Sequence, residues 1–576
     1  MIEPASLPTL AGFLRSHAGT APALCGMGRT LDYAALRRAV LGVSTWLVQQ
    51  GVPPGSRVAI LQKDGPWAAV MLLGVCHAHA AVPLNPGLSA QEYGFATADF
   101  GVAAVAAEQD LPAAARLHDA GVPVLSFTPW TVPPADDEAP AAAGPEAPAF
   151  LLHTSGTTAR PKKVVLTQGR ICQSAHVIAR SLQLGPGDRC LTGMPMFHVH
   201  GILNAMSSTL VSGGSFAHCG AFDTIGFYQQ MRTQRPTWIT AVPTMYHSLA
   251  ARPELVPFVP GLRLLRSSSA PLSDVLAEKL ERLFGVPVLS SYGMTEIDPI
   301  ACVRFADQPP RGAIGLPAEL EIRLADASGE EVAPGATGEV WVRGPRVIPA
   351  YESEAEVNVR AFTDGWFHTG DVGRRDEDGW LYLAGRIKEI INRSGEKVAP
   401  LEIDAVMLRH PDVIEAASFG VPDTARGEDI AAAVVLRAGS TLSEYEFKAW
   451  MVERLAFHKC PRYVRFVPAL PKGPTGKLLR GTLKLDPEDE ARVLPGEVAL
   501  VQAVWAEILE FGDVRPDSRF LDVGGTSAAA LEILIRLEQR LGRSLPVDIL
   551  LDGDTPAALA ASLQRLSSSP PVDRPS

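Results

Sequence analysis

The sequence is poor in cysteine, and the arrangement of its cysteines excludes two kinds of site. Seven cysteines are scattered over 576 residues, an odd number with no C-x-x-C pair. Disulfide frameworks need paired cysteines and structural zinc sites need closely spaced ligands, so we expect neither. Unpaired cysteines are typical of a reducing compartment, which predicts a cytoplasmic protein.

Long hydrophobic runs are also missing. The most apolar segment, Trp67 to Cys76, is far shorter than the roughly 20 residues that span a bilayer, and it predicts a buried helix instead. The N-terminal sequence MIEPASLPTLAGFLRSHAG has no cationic run ahead of an apolar stretch, so we expect no secretory signal. A membrane partner is not expected.

Positive charge is in deficit. The chain has 52 Lys and Arg against 63 Asp and Glu, a formal net charge of -11. Nucleic-acid binding depends on a concentration of basic residues, so a polynucleotide partner is not expected.

The length of the chain exceeds the roughly 250–300 residues at which single hydrophobic cores stop growing, which predicts several domains.

Apolar runs and helical stretches alternate in the first part of the chain. From Asp32 to Phe305, runs such as SRVAIL, AAVPL, PAFLL and PTWITAV are separated by longer helical segments. This pattern predicts parallel sheets covered by helices. Alternating residues from Leu320 to Arg343 predict a small antiparallel β subdomain, and GRIKEIINRSGEKVAP begins a further α+β unit.

The C-terminal part has the spacing of amphipathic helices. One apolar stripe consists of Val501, Val504, Trp505, Ile508 and Leu509, and a second of Leu531, Leu534, Leu537 and Leu541. They predict a four-helix domain after a polar, proline-flanked linker. The expected domains are a large core (1–384), a mobile subdomain (385–485), a linker (486–496), the helical domain (497–567) and a disordered Ser/Pro-rich tail (568–576).

The segment LLHTSGTTARPKK, from Leu151 to Lys163, is a candidate phosphate-binding loop. A strand is followed by small hydroxyl residues, a glycine and basic residues, which can surround phosphate oxygens with N–H and O–H donors while Lys162 adds charge. No Walker motif can be drawn through it. The alternative is a polar surface turn. The candidate donors are Thr154, Ser155, Gly156, Thr157 and Thr158.

Five later segments resemble the motifs of one superfamily, in its order and at plausible separations. They are MPMFHVHGI, SSYGMTEI, DGWFHTGDVG, GRIKEIINRSGEKVAP and PKGPTGKLLR. Together with the phosphate loop they resemble the adenylate-forming superfamily of acyl-CoA synthetases, peptide-synthetase adenylation domains and luciferases, over nearly the whole chain up to about residue 485. The closest resemblance is to the small-acid CoA ligases, including malonyl- and oxalyl-CoA synthetases.

The resemblance implies an α/β fold and a set of catalytic residues. The expected architecture is a large N-terminal domain of two α/β subdomains and a small β subdomain, a small α+β subdomain, and then a four-helix carrier domain. Lys477 is implied to bridge the substrate carboxylate and the α-phosphate, and Glu296 to support Mg²⁺ between itself and ATP. Thr295 and His198 complete the implied catalytic set.

The same resemblance implies nucleotide and thiol sites. Tyr292 would lie against the adenine, and Asp371, helped by Arg386, would accept the ribose hydroxyls; Ala270 and Gly293 belong to this nucleotide site. Lys388 is implied to be the hinge of the mobile subdomain, and the thiol would enter near Ser394 and Gly395. A solvated surface lysine is the alternative for Lys388.

The sequence FLDVGGTSAAALEI resembles the phosphopantetheine attachment motif of carrier proteins, with Ser527 as the modified residue. A phosphodiester at this serine would lie at a helix N-terminus, where backbone N–H groups and the helix dipole favour negative charge. The alternative is an ordinary Ser or Thr helix cap. Thr526 stands where His or Asp is common in carriers.

The phosphate loop departs from the family pattern at two positions. Ala159 and Lys163 stand where glycines are common, which predicts slower adenylation if either disturbs the loop.

The acid substrate is partly indicated by the implied acyl pocket of His198, Met245, Ser268, Ser269 and Ser291. FHVHG lacks the aspartate that usually binds an α-ammonium, so an acid without an α-amine is expected. Malonyl-type enzymes commonly have arginine where this chain has Ser291, which favours hydroxy, keto or alkyl monocarboxylates, with Arg266 as the alternative source of a cation. A metal site at His198 and His200 would lack further ligands at zinc spacing.

The adenylate-forming motifs and the phosphopantetheine attachment motif at Ser527 together predict an enzyme that adenylates a carboxylic acid with ATP and Mg²⁺. The enzyme is expected to load the acid on its own 4'-phosphopantetheine. The expected partners are a phosphopantetheinyl transferase and a downstream peptide-synthetase, polyketide-synthase or tailoring enzyme. One alternative is a CoA ligase that releases acyl-CoA, and another is a non-catalytic carrier scaffold. A convincing Ser-His-Asp set is missing, and adenylate chemistry does not require one.

Overall fold

A computed structural model describes residues 8–136, 140–154, 161–393, 395–423, 427–473, 476–484, 495–509, 511, 514–541, 544–547, 549 and 553–568. The chain forms two compact units. The first contains Met1–Leu383 and the loop Lys472–Lys477, and the second contains Ala384–Pro471 and Leu478–Ser576. In these described ranges no helix has both the length and the apolar character needed to cross a membrane.

The first unit consists of three sheets with helices between their strands. Its strands are β1 (Pro22–Gly26), β2 (Arg29–Asp32), β3 (Arg57–Leu61), β4 (Ala80–Pro83), β5 (Ala104–Glu108), β6 (Val124–Phe127), β7 (Pro148–His153), β8 (Lys163–Thr167), β9 (Arg189–Thr192), β10 (Ser215–His218), β11 (Trp238–Ala241), β12 (Leu264–Ser267), β13 (Val288–Met294), β14 (Ile297–Cys302), β15 (Leu316–Pro317), β16 (Glu321–Ala325), β17 (Thr337–Arg343), β18 (Phe362–Thr363), β19 (Trp366–Arg375) and β20 (Leu381–Arg386), whose last residues belong to the second unit.

The helices of the first unit connect these strands. They are α1 (Leu10–Ser16), α2 (Tyr33–Gln49), α3 (Pro66–Ala78), α4 (Ala90–Phe100), α5 (Gln168–Ser181), a π-helix (His200–Ser207), α6 (Ser208–Val211), α7 (Thr224–Gln234), α8 (Pro243–Ala250), α9 (Asp274–Phe284) and α10 (Ala355–Ala361). Every residue of α3 is buried, as expected for the apolar segment Trp67 to Cys76.

Two large sheets have parallel centres, as the alternating pattern predicts. One has the order β6-β5-β3-β4-β7-β8, and the other β15-β14-β13-β12-β11-β9-β10-β1-β2. Most neighbouring strands pair in parallel, including β5 with the edge strand β6, whereas β7 with β8 and β13 with β14 are antiparallel. The third sheet, β16-β17-β19-β18 with β20 on β19, contains the antiparallel segment expected from Leu320 to Arg343.

The second unit contains one mixed sheet and a separate helical region. Its sheet has the order β22-β21-β24-β23, with β25 on β24. The elements are β21 (Ile391–Arg393), β22 (Glu396–Val398), α11 (Pro400–Met407), β23 (Val413–Asp423), β24 (Gly427–Leu436), α12 (Glu444–Val452), β25 (Tyr463–Phe466), α13 (Pro495–Leu509), α14 (Ser527–Leu541) and α15 (Pro556–Ser568).

The helices α13, α14 and α15 enclose a small hydrophobic core. Val501, Val504 and Trp505 are buried in it, which confirms the first apolar stripe. In the second stripe Leu534 and Leu537 are buried, but Leu531 is exposed. The prediction for Leu531 is wrong because Ala530 and Ile533 take the inward positions on that side of the helix.

Candidate active site

The candidate phosphate loop connects the antiparallel strands β7 and β8. At its base the backbone N–H of Thr154 donates to the carbonyl of Lys162 at 3.0 Å. This pairing brings the two ends of the loop together. Ser155, Gly156, Thr157, Thr158 and Ala159, which the sequence predicts to be part of the loop, lie outside the described residues.

Lys163 is buried at the start of β8. Its ammonium pairs with Asp99 Oδ1 at 3.6 Å and donates to the Asp99 carbonyl at 3.1 Å. His153 Nε2, at the end of β7, lies 3.0 Å from the other carboxylate oxygen of Asp99. Asp99 therefore balances the charge that Lys163 brings to a position where glycine is common, and it ties both strands of the hairpin to α4.

Glu296 and Lys162 are brought together by a tyrosine that the motif analysis missed. The Tyr351 hydroxyl donates to Glu296 Oε1 at 2.6 Å, and Lys162 Nζ lies 4.5 Å from the centroid of the Tyr351 ring. A cation over an aromatic face is attracted by the ring quadrupole. The Tyr351 side chain is only 3% exposed. It contacts both Glu296, the candidate ligand of the metal ion, and Lys162 of the phosphate loop.

Replacing Tyr351 with phenylalanine is expected to lower kcat/KM for MgATP by about 10-fold or more. The variant keeps a ring beneath Lys162 but removes a hydrogen bond to a buried carboxylate, a bond typically worth about 1.5–3 kcal/mol. Pyrophosphate exchange at varied Mg²⁺ is the measurement, with a higher Mg²⁺ requirement expected. Tyr382→Phe is the matched control, because it removes a tyrosine hydroxyl bound to Asp376 at 2.9 Å. Equal effects of the two substitutions would contradict the role of Tyr351.

Tyr292 and Asp371 also meet in the structure. The Tyr292 hydroxyl donates to Asp371 Oδ2 at 2.6 Å, and the backbone N–H of Asp371 donates to Thr369 Oγ1 at 3.1 Å. The predicted adenine and ribose residues are therefore neighbours, and both side chains are almost fully buried. Ala270, Gly293 and Thr295 are partly exposed.

The loop that carries Lys477 packs within the first unit. Gly476 has φ +76°, and a Cβ atom there would fall 2.5 Å from Thr244 Oγ1, so the loop requires glycine at this position. Burial, and secondarily the nearby Lys477, lower the pKa of His198 to about 4. His198 is therefore neutral at neutral pH and close to Lys477.

The two histidines of FHVHG make separate interactions. His198 Nδ1 accepts the backbone N–H of His200 at 3.3 Å, which leaves the ring proton of the neutral imidazole on Nε2. His200 is fully buried, with its ring nitrogens 3.0 Å from Ser269 Oγ and 2.7 Å from Thr240 Oγ1. The described residues contain no set of three or more His, Cys, Asp or Glu side chains placed to hold a metal ion.

The other residues of the predicted acyl pocket belong to neighbouring elements. Ser268 and Ser291 are buried, and the Ser268 hydroxyl donates to the Ser291 carbonyl at 3.2 Å. Ser269 has a positive φ of 71°, an unusual conformation for serine at the end of a strand. Met245, on α8, is partly exposed.

The second unit contains the predicted hinge and thiol residues. Arg386 ends β20, and Lys388 is exposed in a single 3₁₀ turn, Ile387–Glu389. Gly395 lies in the exposed turn between β21 and β22. Ser394 lies outside the described residues.

In the helical region, α14 begins at Ser527. Thr526 caps this helix, because its hydroxyl accepts the backbone N–H of Ala529 at 3.2 Å. The preceding Gly525 is in close contact with the Phe520 ring, where a Cβ atom would fall 2.5 Å from a ring carbon. Thr526 therefore acts as a helix cap.

A magnesium ion fits this site only if the nucleotide supplies most of its ligands. Glu296 is a buried carboxylate, and a protein cage of several carboxylates is not found among the described residues. Magnesium commonly binds one or two carboxylates together with substrate phosphates and water. The donor set at Glu296 agrees with that mode of binding.

Comparison with known proteins identifies three segments. Residues 14–352 match the AMP-binding enzyme family, residues 402–477 its C-terminal domain, and residues 499–563 the phosphopantetheine attachment site. These segments contain most of the residues singled out above, including Lys477 and Ser527.

Relatives and solved structures cover most of the chain. Oxalate–CoA ligase from Arabidopsis thaliana is 37% identical over 82% of this chain and 97% of its own length. Fatty acid–[acyl-carrier-protein] ligase ScoC from Streptomyces coeruleorubidus is 31% identical over 82% of this chain and 94% of its own. ATP-bound MatB from Rhodopseudomonas palustris has a TM-score of 0.77 and 29% identity, covering 82% of this chain and 98% of that structure. The chain therefore belongs to the AMP-binding enzyme family, as an AMP-forming acid–thiol ligase with a phosphopantetheine-attachment domain.

Proposed function

We propose that this ligase loads the acid it activates onto 4'-phosphopantetheine attached to its own Ser527. The observation that carries the proposal is the presence of the AMP-binding segments and the phosphopantetheine attachment segment on one chain. The start of α14 at Ser527, with Thr526 as its cap, supports this assignment. Covalent linkage of activator and acceptor raises the effective concentration of the thiol.

The first half-reaction forms an acyl-adenylate. A carboxylate oxygen attacks the α-phosphorus of ATP, a new P–O bond forms, and the bond to pyrophosphate breaks. Lys477 stabilises the negative charge that develops between the two reacting anions. Neutral His198 beside Lys477 adds no competing charge.

Glu296 and Lys162 act on the triphosphate. Glu296 would hold Mg²⁺, which would neutralise charge at the phosphates, and Tyr351 keeps the carboxylate oriented. Lys162 contributes positive charge to the phosphates, and its contact with the Tyr351 ring near Glu296 supports this role. Tyr292 and Asp371 orient the nucleoside.

In the second half-reaction the thiol attacks the adenylate carbonyl. A C–S bond forms, the C–O bond to AMP breaks, and the thiol proton leaves to solvent. The product is a thioester that stays attached to the protein, so another enzyme, such as a peptide-synthetase, polyketide-synthase or tailoring enzyme, has to remove it. A phosphopantetheinyl transferase has to modify Ser527 beforehand.

The acid is proposed to lack an α-amine, because FHVHG offers no aspartate for an ammonium. The relatives do not narrow the acid further, since one is named for oxalate and another for fatty acids. The name of the second relative includes a carrier protein as acceptor, which supports carrier loading. The name of the first specifies CoA, so release of acyl-CoA is the second candidate function.

Intact-protein mass spectrometry distinguishes the two functions. The chain is treated with a phosphopantetheinyl transferase and CoA, freed of CoA, and incubated with ATP, Mg²⁺ and one acid at a time. We expect the phosphopantetheine mass and then an acyl mass on Ser527, with both missing in Ser527→Ala. Ser562→Ala, a serine of α15, is the control. Formation of acyl-CoA from added CoA, without any acyl mass on the modified chain, would favour the CoA ligase.

A further inference from the structure

A buried arginine borders the predicted acyl pocket and has an unpaired donor. Arg266 lies on β12 and is 2% exposed. Its Nη2 donates to the hydroxyl of the pocket residue Ser291 at 2.8 Å, whereas Nη1 has no hydrogen-bond partner in the protein. Buried donors are almost always satisfied, so an oxygen of a ligand or a water is expected at Nη1.

The charges around this arginine do not balance. Asp298 is the carboxylate that faces Arg266, and burial raises its pKa while Arg266 lowers it. Arg346, also buried, donates to the backbone carbonyl of Asp298 and is a second cation facing the same carboxylate. The other titratable groups near Arg266 are Tyr246, Cys190, Cys302 and His200, and burial keeps all of them neutral.

Two guanidinium groups thus face the buried carboxylate of Asp298, and the other acidic group near them, Glu319, is exposed and acts on Arg346. A buried charge without a partner is costly, and an anionic ligand would compensate it. Two acceptor atoms nearby are also unpaired, Asp298 Oδ1 and Asn204 Oδ1, while Asn204 Nδ2 donates to Asp298 Oδ2 at 3.0 Å. A protonated oxygen or a water beside the ligand can satisfy these acceptors.

The cluster lies directly behind the predicted pocket. His200, which faces Arg266, reaches the partly exposed Ser269 at 3.0 Å, and its backbone N–H donates to His198 at 3.3 Å. His198 in turn lies close to Lys477. A short chain of contacts therefore joins the end of the pocket where the carboxylate reacts to the end where Arg266 lies.

We propose that Arg266 and Ser291 form the far end of the acid pocket and bind a second, negatively charged oxygen group of the substrate. The substrate is then a short acid with two anionic groups, a dicarboxylate or a carboxylate with a sulfonate. This inference deepens the proposed function, since it names the acid activated at the same site. It also reverses the expectation that serine at position 291 favours monocarboxylates, because Arg266 reaches the same point from the neighbouring strand.

The test compares acids of equal size that differ in the second charge. Pyrophosphate exchange by the unmodified full chain is measured with malonate against its monoamide, oxalate against oxamate, and sulfoacetate against its sulfonamide, sulfamoylacetate. We expect at least one dianion to exceed its partner by about 30-fold or more in kcat/KM, the range found when a buried charge pair is broken. Arg266→Met should remove this preference through KM, and Arg266→Lys should retain part of it.

Ser291→Ala provides a second variant with a smaller packing change. It removes the acceptor of Arg266 Nη2, and we expect it to reduce the preference for the dianion with an unchanged thermal midpoint. If Arg266→Met does not fold, Ser291→Ala and Arg266→Lys decide the outcome. Preference of the wild type for the monoanions, or an unchanged preference in these variants, would overturn the inference and leave a structural water at Nη1.

The result is separable from carrier loading. Exchange reports the first half-reaction, which does not use Ser527. A dianion preference without an acyl mass on Ser527 would retain this inference and overturn the proposed acceptor. An acyl mass from a monocarboxylate, with no preference for dianions, would overturn this inference and retain Ser527 as the acceptor.

Discussion

Replacing Lys477 with alanine is expected to lower the rate of acid-dependent pyrophosphate exchange by about 10²- to 10³-fold. That is the usual loss when one preorganised donor to a developing charge is removed. The ammonium would act only where two anions approach each other, so the loss should lie mainly in kcat rather than in KM for ATP. Exchange assays at saturating acid and ATP measure it.

Lys472→Ala is the matched control for this variant. Lys472 lies in the same loop of the first unit and is exposed like Lys477, but it is not among the residues implied to act on the substrates, so its loss removes one positive charge at another position of the loop. We expect near-normal exchange from Lys472→Ala. We also expect Lys477→Ala to convert a supplied acyl-adenylate into thioester at nearly the normal rate. A comparable loss in both lysine variants would mean that the charge of the loop matters and not the position of Lys477.

Motifs made of consecutive residues were the part of the site that could be predicted. The parallel sheets, the buried helix α3 and the meeting of Tyr292 with Asp371 all follow from local patterns or from the resemblance. Tyr351 could not be found in this way. Its partners Glu296 and Lys162 are remote in sequence, and an isolated tyrosine in PAYESE gives no periodic or chemical signal.

The sequence indicated Arg266 only as an alternative source of a cation, and it gave no reason to prefer that alternative, for a related physical reason. Comparison of a single motif position draws attention to Ser291 and to the missing arginine there. The structure pairs Ser291 with Arg266 of the adjacent strand, so a positive charge lies beside this position although it comes from another part of the chain. Charge balance in a core depends on which strands are neighbours, and no local pattern contains that information.

Ser527 illustrates the opposite case. Its sequence context left open whether the serine is an attachment site or a helix cap. The hydrogen bond from Ala529 to Thr526 assigns the cap to the preceding residue. One hydrogen bond thus identifies Thr526 as a cap of this helix, while phosphopantetheine attachment at Ser527 stays a prediction.

The region around the predicted hinge combines a fixed network with an exposed turn. Buried Arg480 binds Asp404 at 2.7 Å and Glu389 at 3.3 Å. Glu389 ends the single turn Ile387–Glu389, while the neighbouring Lys388 is exposed. Arg480 therefore ties the end of this turn to α11 within the second unit. A backbone rotation at Lys388, the predicted hinge, would leave these ion pairs intact.

Replacing Lys388 with proline is expected to leave pyrophosphate exchange within about 3-fold of normal and to reduce thioester formation by about 100-fold or more. Proline fixes φ near -65°, which suits a helical turn but prevents a rotation about that bond. If the second half-reaction requires such a rotation, only thioester formation is lost. Because Lys388 is exposed, its side chain contributes little to stability.

Lys388→Ala separates the backbone effect from the loss of the side chain. It removes the ammonium but leaves φ free, so both half-reactions should remain close to normal. The measurements are pyrophosphate exchange for the first half-reaction and the acyl mass on Ser527, or acyl-CoA, for the second. If Lys388→Pro impaired both half-reactions equally, the turn would be needed for folding or binding. If Lys388→Ala lost thioester formation as fully as Lys388→Pro and kept normal pyrophosphate exchange, the loss of the side chain and not of the rotation would be responsible. Selective loss in the proline variant is the result that only a hinge at this residue explains.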